Sequence, residues 1–123
     1  MRLRVDVLRF LAKGEADKAL GMFLKELAIR LKQPDQDHSL VANSYNCIGS
    51  VHHFKGEYDK ALEYFEKSLA IHLKQPRADN PSVANSYNNI GLVHQYKGEY
   101  NKALEFQHIA LNLRIKHLGA DHR

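Results

Sequence analysis

A 42-residue period runs through the 123-residue chain and constrains its architecture more tightly than any single motif. A fixed period of this size means stacked copies of one supersecondary unit, none of which buries its apolar face alone. The segment from Val41 (VANSYNCIGSVHHFKGEYDKALEYFEKSLAIHLKQPRAD) matches the one from Val83 (VANSYNNIGLVHQYKGEYNKALEFQHIALNLRIKHLGAD) at 22 of 39 aligned positions. A third copy precedes them: Gly14, Gly56 and Gly98 are spaced by 42, as are Ala19, Ala61 and Ala103, and Leu20, Leu62 and Leu104. Pro34 corresponds to Pro76, and Gly49 to Gly91.

Each unit reads as two helices. Sixteen Leu and 12 Ala stand against 12 Val plus Ile, with no Thr, so an all-β fold is excluded. The chain is 44% hydrophobic and 26% charged, enough to bury a core and unlike a disordered segment. In the third unit Val83, Tyr87, Ile90, Gly91 and His94 recur at helical spacing, and the stripe ends at Tyr96. Glycine adopts the left-handed conformation past a helix end without a Cβ clash, so Gly14, Gly56 and Gly98 are read as stop signals. Asp59 or Asn101 is expected to cap the helix that follows. Ala61, Leu62, Phe65, Leu69 and Leu73 supply its buried stripe, with Lys60, Glu63 and Lys67 on the solvated side. The first unit departs from this pattern, since Asp6 and Val7 stand where Ile48 and Gly49 stand later. Leu3, Val7, Phe10 and Leu11 still form a helical stripe, so a degenerate first helix is expected before Gly14.

These residues resemble the tetratricopeptide repeat, a helix-turn-helix with an aromatic, an apolar residue and Gly early, then Ala, an aromatic and Ala in the second helix. Here they are Tyr45, Ile48, Gly49, Ala61 and Phe65, and again Tyr87, Ile90, Gly91, Ala103 and Ala110. The 42-residue unit, with NSYNNIG, KGEYxKALE and LGADH, is similar to the kinesin light chain type, most specifically over residues 38–123. The resemblance implies an all-α, right-handed solenoid of three helix-turn-helix repeats. The expected organisation is a single domain over 1–123, with repeat one at 1–37, repeat two at 38–79 and repeat three at 80–121. The closing Leu118-Gly119-Ala120-Asp121-His122-Arg123 looks like the lead-in to a further repeat.

From Val41 to Phe54, and again from Val83 to Tyr96, no residue is formally charged. By resemblance, Asn43, Asn46, Ser50, His53 and Phe54, with Asn85, Asn88, Leu92, Gln95 and Tyr96, fall on positions that line the concave groove where partner peptides lie. Carboxamides suit a peptide backbone because each offers donors and an acceptor. Phe54 and Tyr96 would add apolar anchoring. The alternative is that some of these side chains pack between neighbouring first helices, and the chain is then a structural or self-associating segment of a longer array. A clamp for a C-terminal carboxylate is disfavoured, because Asn46, Ser50, Asn88 and Leu92 stand where that subtype carries Lys and Arg, leaving Arg4 as the lone basic exception.

Other chemistry is weakly supported. His52 and His53 are adjacent on a helix and face different directions, and no HExxH motif exists, so no metal or other cofactor is expected. His52 and His94 read as packing residues, His72, His108 and His117 as partly exposed, and Cys47 as a small packing residue. With no phosphate-binding glycine loop or GxSxG motif, an enzyme is not expected. The net charge of +4 comes from Lys and Arg interleaved with acids, which points away from nucleic acid. The resemblance implies a protein or peptide partner, with acidic residues flanking an aromatic in the kinesin light chain case. No membrane partner and a cytoplasmic location are expected, since no apolar run reaches the length of a span. Leu3, Val7, Phe10 and Leu11 at one end, and Ile109, Leu111, Leu113, Ile115 and Leu118 at the other, do not look like polar caps. Homo-oligomers through these ends are therefore expected.

Overall fold

The computed structural model describes residues 2–33, 38–74 and 81–121, with side chains described for 12–119 of these. The elements are all helical: α1 (Arg2–Lys32), α2 (His38–Phe54), α3 (Tyr58–Leu73), α4 (Pro81–Tyr96) and α5 (Tyr100–Asp121). Helix α2 packs on α3 and α4 on α5 as antiparallel hairpins. The second half of α1 packs on α2, and α3 on α4, so the hairpins stack into a solenoid. Pro34, Pro76 and the final two residues of the lead-in motif lie outside the described residues.

The two hairpin turns are identical in construction. Gly56 and Gly98 take φ of +80° and +83°. Glu57 N donates to His52 O at 2.8 Å and Gly56 N to His53 O at 3.0 Å, and Glu99 and Gly98 repeat both bonds to His94 and Gln95. This pair of bonds closes a helix end around a left-handed residue and satisfies carbonyls that the helix leaves open. A side-chain bond reinforces each turn, with His52 Nδ1 3.1 Å from Glu57 Oε1 and His94 Nδ1 3.1 Å from Glu99 Oε1. These contacts hold the Glu57 and Glu99 carboxyls below their ordinary pKa.

Several expectations require correction. Gly14 does not stop a helix: α1 runs unbroken from Arg2 to Lys32, so the first repeat is a single long helix rather than a closed hairpin. Phe10 stands in register with His52, and the side-chain lock of the later turns has no imidazole there. Asp59 and Asn101 are not caps, because α3 starts at Tyr58 and α5 at Tyr100, which puts both residues inside the first turn; the position before α3 is Glu57, with no side-chain cap bond. Leu73 is exposed rather than part of the stripe, and His72 is buried rather than partly exposed.

The core is two copies of one cluster. Ala61, Phe65, Ile90 and Val93 are buried together with Leu62, Leu69 and Phe106 against them. One repeat earlier, Leu27, Val41 and Ile48 are packed with Leu20, Phe23, Tyr45 and Tyr64. Close approach explains Gly49: a Cβ there would lie 2.9 Å from the Phe65 ring. Burying a ring such as Phe65 contributes about 1.5–3 kcal/mol.

Candidate functional site

Helices α2 and α4 are equivalent first helices of successive repeats, and the ten expected groove residues lie along them. Asn43, Ser50, Phe54, Asn85, Gln95 and Tyr96 are exposed; Asn46, His53, Asn88 and Leu92 are half-buried. Asn46 and Asn88 are thus less accessible than a free surface row would be. Asn46 Oδ1 is buried and has no hydrogen-bond partner among the described residues. Asn85 Oδ1 accepts from Arg114 of α5 at 3.0 Å, and Gln95 Oε1 accepts from Gln107 at 3.2 Å.

The structure separates these residues into two settings. Asn46, Ser50 and Phe54 line an apolar cleft of about 510 Å³ between α1 and α2, shared with Ala16, Ala19 and Phe23. Ser50, His53 and Leu92 surround a smaller cleft of about 90 Å³ between α2 and α4, floored by Phe65. Beside it His53 meets Tyr96 edge-on at 4.8 Å and Tyr58 at 5.5 Å, so part of Tyr96 serves contact between repeats while the rest faces solvent. Burial of His53 in this cluster pushes its pKa down.

An ion-pair register aligns the repeats. Lys55 Nζ lies 2.5 Å from Asp17 Oδ1, and Lys97 Nζ lies 2.8 Å from Asp59 Oδ1, each lysine following a first helix, with Asp59 in the first turn of α3 and Asp17 at the equivalent position inside the continuous α1. The stacking face carries a second series, invisible to a motif search. Arg30, His72 and Arg114 stand 42 apart. Arg30 pairs with Glu26 and donates to Ser44 Oγ at 2.7 Å and Leu40 O at 2.8 Å. At the next junction Ser68, His72 and Ser86 replace that set, and Ser68 Oγ, His72 Nε2 and Ser86 Oγ are buried without partners among the described residues. The 42-residue period was the signal that could have placed His72 there.

Among the described residues no group of three or more His, Cys, Asp or Glu is placed to hold a metal ion, and no helix is long and apolar enough to cross a membrane. Cys47 is half-buried at the wall of the larger cleft.

Comparison with known proteins fits this geometry. The tetratricopeptide repeat signature matches residues 9–74 and again 83–123. The chain belongs to the tetratricopeptide repeat family, a non-enzymatic scaffold of the protein-interaction kind. Its array has the fold of the kinesin light chain type. It superposes on BtubC (BKLC) of P. vanneervenii with a TM-score of 0.74 at 23% identity, over 89% of this chain and 44% of that one. A Podosopora anserina protein of nearly identical TPR-like repeats, described as kinesin light chain in kind, gives 0.74 at 23% identity over 94% of this chain and 56% of that one. A single-substitution variant of that protein gives 0.72 at 22% identity, over 89% and 51%. The chain spans about half the length of these solved structures. No curated protein sequence matches it significantly.

Proposed function

We propose that this chain is an interaction scaffold that holds an extended peptide of a partner protein in the groove formed by α2 and α4. The observation that carries this reading is the carboxamide row on two uncharged helices, Asn43 and Asn46 followed 42 residues later by Asn85 and Asn88. Asn46 Oδ1, buried and without a partner among the described residues, is an acceptor that a peptide N–H can satisfy. Phe54 and Tyr96, each more than half exposed, supply apolar surface at the same end. With a net charge of +4, the favoured peptide carries acidic residues around an aromatic, and the setting is the cytoplasm. Self-association through the exposed Ile109, Leu111, Ile115 and Leu118 of α5 is a further part of this reading.

An array of synthetic peptides with and without an aromatic flanked by acidic residues tests it. Retention of the acidic-aromatic class at about 0.15 M salt, lost in Asn46→Ala and Asn88→Ala, supports the groove. Uniform non-binding supports the second reading, a segment whose faces serve stacking only. That reading is favoured by the Tyr96–His53 contact and by Leu92 facing α2.

A further inference from the structure

The first repeat has its second helix in place, packed on α2, and among the described residues no helix of its own repeat packs against it. Asp17 pairs with Lys55 as Asp59 pairs with Lys97, so residues from about 15 onward in α1 occupy the position that α3 occupies one repeat later. On α3, Ala61 is 0% and Phe65 3% exposed. The register equivalents on α1, Ala19 and Phe23, are half-buried, and so is Val51, whose equivalent Val93 is 0% exposed. All three line the cleft between α1 and α2. That cleft is the place of a first helix, as α2 covers Phe65 through Gly49 in the next repeat.

The chain contains the matching helix but directs it elsewhere. Residues 2–12 carry apolar residues at Leu3, Val7, Phe10 and Leu11, in register with Tyr45, Gly49, His52 and His53 of α2. Because α1 is one helix through Gly14, of about 46 Å at 1.5 Å per residue, this segment points away from the cleft beside its own second half. We propose that the cleft takes the 2–12 helix of a second copy of this chain, so that two chains exchange the first halves of α1 about a two-fold axis near Glu15; the exchanged helix covers Asn46 and Phe54 and so competes with a partner peptide there. The register of the later hairpins sets Gly49 opposite Phe65, and hence Val7 opposite Phe23, Phe10 opposite Leu20, Leu11 opposite Ala19 and Leu3 opposite Leu27. Two antiparallel α1 helices then bring apolar residues together at both ends of the pair, and each copy receives what it gives.

Exchange suits this sequence better than closure of α1 on itself. A tight glycine turn fixes the hairpin spacing at a distance where Gly49 touches the Phe65 ring, and Val7 is too large for that spacing. A helix from a second chain is not tethered by the turn and seats at the distance Val7 demands.

The test uses the full chain. Light scattering of the native protein should show a dimer, and Gly14→Ala, which favours the continuous helix over a monomer with α1 folded back at Gly14, should tighten it about fivefold per subunit. In a Cys47→Ser background, Leu11→Cys with Ala19→Cys and a short bis-maleimide should give a covalent dimer on a denaturing gel. A native protein that stays monomeric, or linked chains that run as monomers, would overturn the exchange; the second result would show closure of each α1 on itself. Should the cysteine variant not fold, Gly14→Ala still decides, since a dimer unchanged or weakened by that substitution contradicts the proposal.

Discussion

Lys97 Nζ and Asp59 Oδ1 meet at 2.8 Å across the junction between α3 and α4, and the pair is the 42-residue image of Lys55 and Asp17. The aspartate hydrogen bond holds the Lys97 ammonium above its ordinary pKa, as Asp17 does for Lys55. Both pairs reach into solvent, where a salt bridge sets register more than it adds stability. Asp59→Ala should therefore lower the melting temperature slightly in dilute buffer and not at all near 1 M salt, where screening acts within about 3 Å. A large loss that persists in high salt would mean that Asp59 does more than align the repeats.

The three equivalent glycines should respond differently to substitution. Gly56 and Gly98 hold positive φ, so Gly56→Val and Gly98→Val should each destabilise by more than about 1 kcal/mol. Gly14 is helical with open space around its Cβ position, so Gly14→Ala should be neutral or stabilising in thermal melts. Gly49→Ala should cost about 1–3 kcal/mol, because the added carbon meets the Phe65 ring at 2.9 Å. A destabilised Gly14→Ala would argue for a left-handed turn there.

These glycines also mark where the sequence was legible. The hairpins of repeats two and three were readable because periodicity and glycine agree there, and the structure adds a His–Glu bond at each turn. At Gly14 the glycine permits a turn without requiring one, and with Phe10 in place of the histidine the helical path continues. The burial of His72 was hidden for another reason: the face of α3 that meets α4 follows from how the hairpins stack, and a single-helix periodicity does not contain it. The groove list was legible as a row of uncharged positions, but its division between solvent and the α2–α4 contact depends on the same stacking.

Acid should loosen the second junction before it reaches the turns. Burial pushes the His72 and His53 pKa values below the ordinary 6.5, so the unfolded chain binds more protons than the folded one once pH falls through that value. Stability should be level above about pH 7 and fall progressively below about 6.5. Glu57 and Glu99, held below their ordinary 4.5 chiefly by the His52 and His94 bonds, add a second loss as pH falls below that range. Urea melts across pH should show the upper step reduced in His72→Gln. An unchanged upper step in that variant would assign it to His53 or elsewhere.

Groove recognition and repeat stacking separate most cleanly in a comparison of Asn46 and Asn88 with Tyr87. Asn46 and Asn88 are half-buried on equivalent turns of α2 and α4, and Asn46 Oδ1 has no partner among the described residues. Removing either carboxamide leaves a bound peptide group unpaired, so Asn46→Ala and Asn88→Ala should each weaken binding by about 1–2 kcal/mol. Their melting temperatures should barely move, since alanine is the better helix former and no internal bond of Asn46 Oδ1 is lost. Tyr87, half-buried, stacks on Phe106 at 6.2 Å within the third repeat. Tyr87→Ala should cost several kcal/mol of stability and lose binding only as a consequence. Calorimetric binding and thermal melts on the three variants decide between the two roles. If the asparagine variants melt as low as Tyr87→Ala, or bind an identified peptide as tightly as the native chain, the carboxamides serve the stacking of repeats and the peptide lies elsewhere.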